Sequence, residues 1–341
     1  MNGYCKECPI CDGRGCRNTI PGPGAKGIGD VAIRNYDKWK EVRINMDTLT
    51  EQKEVNTRVN IFGRELYLPL MAGPVGAVKL HYSDKYTDEE YNDVLIEGCM
   101  AKNIIAFTGD GTDPNVIKSA ANSIAKMNAP VIPTIKPWDI NTIKEKMEMV
   151  EKAGAVAIAM DVDAAGLPFL KGLNPPAGSK SKEELAEIIS LTEKPFIVKG
   201  IMSTKGAETA VSAGAKGIVV SNHGGRVLDQ CPSTCEVLSE IAEAIKGSEC
   251  KVFVDGGLRD GIDVLKALAL GAECVMMARP FVNVAYKEGT EGVKAFVEKI
   301  RTELEDAMKI CGVYSIEDID NEILWGTKSM KAKDWFNRVL A

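Results

Sequence analysis

The chain reads as an α/β protein: a (β/α)8 barrel with an N-terminal cysteine-rich extension and C-terminal helices. Three observations predict this. Eight short apolar runs recur after residue 65, amphipathic segments lie between them, and most runs end in glycine or a chemically functional residue. Strand-like runs that alternate with helical patterns imply parallel βαβ units. Eight such units close into a barrel whose active face lies at the C-terminal strand ends. A doubly wound open sheet is the competing arrangement, but it rarely repeats so evenly.

The runs, in order, begin with Leu66 to Ala72, Ile104 to Phe107, Pro130 to Ile135 and Val156 to Met160. Pro195 to Lys199, Gly217 to Val220, Val252 to Asp255 and Cys274 to Ala278 complete the set. Ile143 to Ala153, Lys182 to Leu191 and Ile262 to Leu270 carry the apolar spacing of helices. Gly292 to Ile310 and Ser329 to Leu340 read as helices packed outside the barrel. The expected division is residues 1–64 as extension and lead-in, and 65–341 as the barrel with its C-terminal helices. The expected strand ends are Gly73, Thr108, Lys136, Asp161, Lys199, His223, Asp255 and Arg279, which a barrel gathers around one mouth.

Composition narrows the function. The 341 residues are 45% hydrophobic and 26% charged, as in soluble globular enzymes. Length alone permits two domains, yet α/β barrels of about 200–250 residues form one. A net charge of −6 without long basic clusters disfavours nucleic acid as a partner. No apolar run reaches the roughly 18 residues that span a bilayer. Met1 to Cys5 lacks the apolar core of a secretory signal, so a cytoplasmic location is expected. Ten cysteines then suggest reduced thiols or metal ligands rather than a disulfide scaffold.

The most informative stretch is Ser221-Asn222-His223-Gly224-Gly225-Arg226, directly after a buried-strand pattern. It places a base, two conformationally free glycines and a carboxylate-gripping guanidinium at one strand end. His223 is one of only two histidines in the chain.

Residues 195–282 resemble the FMN-dependent 2-hydroxy-acid oxidases and dehydrogenases, the glycolate oxidase and lactate oxidase family. The resemblance rests on Ser221 to Asp229, Val254 to Gly261, Lys266 to Ala272 and Ala278-Arg279-Pro280, in the family's order and spacing. Weaker similarity extends through Arg34-Asn35, Met71 to Gly76 and Met308 to Gly312. It implies a (β/α)8 barrel holding FMN. Asp255, Gly256, Gly257, Arg259, Ala278 and Arg279 would form the phosphate end, where glycine amides and Arg forks bind a dianion. Lys199 would stabilise the charge of reduced flavin. Gly73, Pro74, Val75 and Gly76 would face the ring, with Thr108 contacting it. His223 would be the base and Asp163 its orienting carboxylate; capping of the next turn is the other reading of Asp161 and Asp163, stronger for Asp161. Arg226 would anchor the substrate carboxylate. The resemblance also suggests a homo-oligomer, a tetramer or larger.

The chain departs from this family at the substrate clamp. The family's Gln-x-Tyr after the third strand is replaced by Pro133-Thr134-Ile135. The family's Arg beyond Asp163 is missing from Ala164 to Lys171, where Lys171 offers only a point charge. An early substrate Tyr has no match near Ala25 to Gly29. Oxidation of a small 2-hydroxy acid, with O2, a protein carrier or a metal cluster as electron acceptor, is the leading expectation. Flavin-dependent isomerisation or reduction, as in the distantly similar type 2 isopentenyl diphosphate isomerases, is one alternative. A metal-bearing electron-transfer flavoprotein is the other.

Cys5, Cys8, Cys11 and Cys16 form a Cys-x2-Cys-x2-Cys-x4-Cys array that ordinary family members lack. Four thiols this close suit Zn2+ or an iron–sulfur cluster. Glycines after the Cys pair resemble zinc knuckles, the three-cysteine run resembles cluster sites, and unliganded thiols are the third reading. Gly22 to Gly27 superficially resembles a phosphate loop, but it lacks the Gly-Lys-Ser/Thr order and a preceding strand.

Overall fold

A computed structural model describes residues 5, 8–20, 22–170, 172–173 and 177–326. The chain enters through α1 (Asp30–Glu41) and a hairpin of β1 (Val59–Ile61) and β2 (Arg64–Leu66). Eight strands follow: β3 (Leu70–Ala72), β4 (Ala106–Thr108), β5 (Val131–Ile135), β6 (Ile158–Asp161), β7 (Phe196–Ile201), β8 (Gly217–Val220), β9 (Lys251–Val254) and β10 (Cys274–Met277). They are all parallel and close in the order β10-β3-β4-β5-β6-β7-β8-β9, as the sequence predicted.

The eight runs match the eight strands, with one split. Leu66 to Ala72 is not one strand: β2 ends at Leu66 and β3 begins at Leu70. Pro69 has no N–H for a ladder, and the Leu70 amide donates back to the Leu68 carbonyl at 2.7 Å, which turns the chain there.

Strand side chains alternate between two cores, because neighbours point to opposite faces. Met71, Phe107, Ile132, Ala159, Ile197, Val219, Phe253 and Met276 fill the barrel interior. Leu70, Met160, Val198, Val220, Val254 and Met277 face the surrounding helices. Ile61 and Leu66 of the hairpin join the interior cluster. The same parity extends the interior-facing rows two residues on to Thr134, Asp161, Lys199, Ser221 and Asp255.

The surrounding helices are α2 (Val78–His81), α3 (Asp88–Ala101), α4 (Pro114–Met127), α5 (Ile140–Ala153), α6 (Lys182–Ile189), α7 (Thr204–Ser212), α8 (Thr234–Ala244), α9 (Gly261–Ala269) and α10 (Arg279–Ile310). Local signals start several of them. Thr87 with Glu90, Ser181 with Glu184 and Ser233 with Glu236 form reciprocal capping boxes. The helix expected at 292–310 begins earlier, at Arg279, and is broken at Gly289, whose φ is 62°. Residues 329–340 lie outside the described residues. Helix α1 packs against the barrel: Trp39 is fully buried, Arg34 pairs with Glu236, and Lys40 bonds Asp260 and Asp263.

Candidate active site

A cleft of about 1180 Å3, including its open mouth, lies at the C-terminal ends of the barrel strands. Gly73, Pro74, Val75 and Gly76 follow β3, and the last three line the cleft. Thr134, Lys136, Asp161, Lys199, His223 and Arg226 come from the middle strands and their loops. Asp255, Gly256, Gly257, Arg259, Ala278 and Arg279 close the circle.

His223 sits in a strained loop. Its φ is 55°, and Gly224 and Gly225 follow at 64° and 81°. A β-carbon at Gly224 would come within 2.3 Å of Arg279 Nη2, so glycine is required there by both φ and space. A left-handed histidine is uncommon and persists because its surroundings hold it. The Ser221 hydroxyl accepts from the His223 amide at 3.2 Å. Asn222 and Asn35 of α1 exchange reciprocal amide hydrogen bonds at 2.8 and 2.9 Å, which tie the lead-in helix to this loop.

The imidazole Nδ1 lies 3.0 Å from Asp163 and 4.0 Å from Asp161. With Nδ1–H donated to Asp163, Nε2 keeps a free lone pair. Burial, with Lys199 and Lys136 nearby, pushes the His223 pKa well below its ordinary value despite the opposing pull of Asp161. The ring is therefore neutral at pH 7, as a general base must be. Burial raises Asp163 against the pull of Lys199 and Lys136. Gly200 makes the close approach of Asp163 feasible: its φ is 103°, and a β-carbon there would sit 2.5 Å from the Asp163 side chain.

Lys199 is 3% exposed, donates to the Ser221 hydroxyl at 2.8 Å and lies 3.5 Å from Asp255. Burial opposes its charge, but Asp255, Asp163 and Asp161 outweigh that and raise its pKa. It is a permanent cation in the floor of the cleft. Arg226 donates through Nη1 to the carbonyls of Gly22 and Gly24, the latter at 3.2 Å. Burial lowers its pKa to about 10, so it too is charged at neutral pH.

The residues fit FMN on independent grounds. Thr134 Oγ1, Asp255 Oδ1 and Arg279 Nη1, on residues that line the cleft, are buried polar atoms without a hydrogen-bond partner among the described residues. Buried polar groups are ordinarily satisfied, so three such atoms around one mouth mark a place for a polar ligand. Gly256 and Gly257 adopt φ of 92° and 87°, and a β-carbon at Gly257 would lie 2.1 Å from the Asn35 carbonyl oxygen. That loop presents backbone beside Arg259 and Arg279, as a phosphate requires. Arg259 also donates to the Cys11 carbonyl at 2.7 Å, so the N-terminal segment reaches this end of the cleft.

Thr108 is buried at the end of β4 but does not line the cleft. Lys171 lies outside the described residues. Two parts of the cleft went unread, His81 and the Gly22–Pro23 segment, while Lys136 and Asp161 were expected at the mouth. His81, the chain's other histidine, lines the cleft at the end of α2, accepts from the Gly22 amide at 3.1 Å and packs on Phe169. Burial, then Arg226, Lys136 and His223, lower its pKa to about 3. The histidine count was the signal that pointed to it. Gly22 and Pro23, from the segment that resembles a phosphate loop, form a wall of the cleft. Lys136 is paired with Asp161 at 2.5 Å, and Asp110 accepts from Lys146, Trp138 and the Lys136 amide. These contacts join residues far apart in sequence.

Comparison with known proteins agrees with this geometry. The FMN-dependent dehydrogenase family model matches residues 23–169 and 175–326. A peroxisomal (S)-2-hydroxyacid oxidase of Arabidopsis thaliana is 30% identical over 319 residues, covering 84% of this chain and 85% of its own length. A 4-hydroxymandelate oxidase of Amycolatopsis orientalis is 29% identical, covering 89% of this chain and 94% of its own. A mandelate oxidase variant solved with a monooxide FMN adduct superimposes with a TM-score of 0.75 at 29% identity, covering 88% of this chain and 92% of its own. The barrel, its mouth and the matched length converge: this chain belongs to the FMN-dependent dehydrogenase family.

Proposed function

We propose that this protein oxidises a small 2-hydroxy acid to the 2-oxo acid, with His223 as base, Asp163 as its positioning carboxylate, Arg226 as carboxylate anchor and Lys199 beside the flavin. The observation that carries the reading is the neutral His223–Asp163 pair in one cleft with Arg226 and a glycine–arginine phosphate loop. The names of the relatives, hydroxyacid and mandelate oxidases, support the substrate class and favour oxidation over net isomerisation or reduction. They also support O2 as the final acceptor.

FMN, held by the Gly256–Gly257 turn with Arg259 and Arg279, would supply the two-electron acceptor for the substrate Cα hydrogen and its electron pair. His223 Nε2 takes the hydroxyl proton, so the C–O bond becomes the carbonyl of the product. Asp163 fixes the tautomer and stabilises the imidazolium that forms. Arg226, with Nη1 committed to Gly22 and Gly24, turns its remaining N–H groups to the carboxylate. Lys199, the buried cation of the cleft floor, would offset negative charge on the cofactor's ring. Lys136, paired with Asp161, and His81 on Phe169 line the same cleft and offer it polar groups where the chain lacks the family's Tyr and second Arg. Leu80, Leu167 and Phe169 give the cleft an apolar flank suited to the substrate side chain.

Anaerobic mixing of the yellow holoenzyme with lactate, glycolate and mandelate tests the reading. Bleaching of the flavin by at least one of them is expected, with peroxide formed when air is admitted. His223→Gln keeps the colour and slows bleaching by about 10²–10⁴-fold. Unchanged bleaching in that variant rules out the base role.

A further inference from the structure

The four cysteines of the N-terminal array are the strongest feature that flavin chemistry leaves unused. The fold brings Cys5, Cys8, Cys11 and Cys16 around one pocket of about 370 Å3, its opening to solvent included, next to the arginine end of the main cleft. All four are free thiols, partly shielded from solvent. Cys5 Sγ lies 3.7 Å from Asn283 of α10, and Cys11 Sγ lies 3.6 Å from Arg259 Nη2. Tyr82 and Arg279 complete the wall.

We propose that Cys5, Cys8, Cys11 and Cys16 ligate a [4Fe–4S] cluster in this cavity, locking the N-terminal segment onto the flavin barrel. Spacing between the sulfurs separates this from a single zinc ion. Zn–S bonds of about 2.3 Å hold four tetrahedral sulfurs within roughly 3.8 Å of one another. Among the described residues, no three of these sulfurs lie mutually within 4.8 Å. They line one pocket at wider spacing instead, as a polynuclear cluster requires, and Cys-x2-Cys-x2-Cys is a cluster-binding run. A buried anionic centre needs counter-charge. Arg279, which lines both the pocket and the cleft, and Arg259, whose Nη2 lies 3.6 Å from Cys11 Sγ, supply it.

The cluster has a structural consequence for the neighbouring site. The segment it anchors continues to Gly22 and Gly24, whose carbonyls seat Arg226, and Cys11 orients Arg259. Binding of the cluster thus preorganises both the phosphate end and the carboxylate anchor. This site stands independently of the substrate assigned above.

The test is metal and sulfide analysis of the full-length protein, purified anaerobically and also reconstituted with ferrous iron and sulfide. About four iron and four sulfide per chain are expected, with an EPR signal after dithionite reduction. Cys8→Ser loses iron and sulfide and weakens FMN retention about tenfold, whereas Cys231→Ser keeps both. One zinc per chain without iron, or no iron and sulfide after reconstitution, overturns the proposal. So does a Cys8→Ser protein with unchanged iron, and the wild-type analysis decides the matter if that variant does not fold.

Discussion

Lys136→Met is the perturbation that most directly tests the electrostatics of the base. Lys136 is one of two lysines that depress the His223 pKa, and it pairs with Asp161 at 2.5 Å. Its removal deletes one cation and frees the Asp161 carboxylate, which lies 4.0 Å from His223 Nδ1. Both groups meet the same Asp161 oxygen, so the Lys136 ammonium lies no more than about 6.5 Å from the ring nitrogen, where a unit charge pair interacts by about 0.6 kcal/mol at a water-like dielectric and about 2.6 kcal/mol at an effective value near 20. One pKa unit corresponds to about 1.4 kcal/mol, so the His223 pKa should rise by roughly 0.5–2 units. The base works only when neutral. In the wild type, kcat/KM should stay flat down through pH 6.5 and fall only below it. In the variant the acid limb should move up towards neutrality. The assay is kcat/KM of the FMN-loaded enzyme from pH 5 to 9. An acid limb that stays in place, or moves down, refutes both the neutral-base assignment and the role of Lys136 in maintaining it.

The remaining expectations concern the anchor, the phosphate loop and the second histidine. Arg226→Lys loses the planar fork, and the loss of a charge-assisted hydrogen bond worth about 1.5–3 kcal/mol should raise KM for a 2-hydroxy acid roughly tenfold to a hundredfold, read by steady-state kinetics. Gly257→Ala puts a β-carbon 2.1 Å from the Asn35 carbonyl oxygen at a φ of 87°. The loop must shift, at a strain of about 1–3 kcal/mol, and the purified variant should lose flavin absorbance while its far-UV circular dichroism is kept. His81 has a folded pKa of about 3, below its unfolded value. Its stabilising contribution is therefore present above about pH 6.5 and is lost as pH falls from there towards 3, at up to ~1.4 kcal/mol per pH unit. Melting temperatures between pH 7 and 5 should fall in the wild type and fall less steeply in His81→Gln. Parallel slopes in the two proteins contradict the burial of a neutral His81.

The barrel was legible because its signal is local. Each strand is a short apolar run, and alternation of side chains carries the pattern from packed interior to reactive rim. The residues Lys199, Ser221 and Asp255 sit two positions beyond Ile197, Val219 and Phe253, so parity alone aims them into the mouth. The split between β2 and β3 was less legible, because the apolar run continues across Pro69. The early part of α10 was hidden because Gly289 interrupts the helical periodicity.

The rim chemistry of His223, Arg226, Lys199 and the Gly256–Gly257 turn was written in contiguous motifs, which survive without a structure. What only the tertiary structure decided lies in contacts between distant segments: His81 against Gly22, Lys136 against Asp161, and Arg259 against Cys11. Such pairings depend on loop conformations 25 to 248 residues apart in the chain. No local periodicity encodes them, and only closure of the barrel brings them into reach.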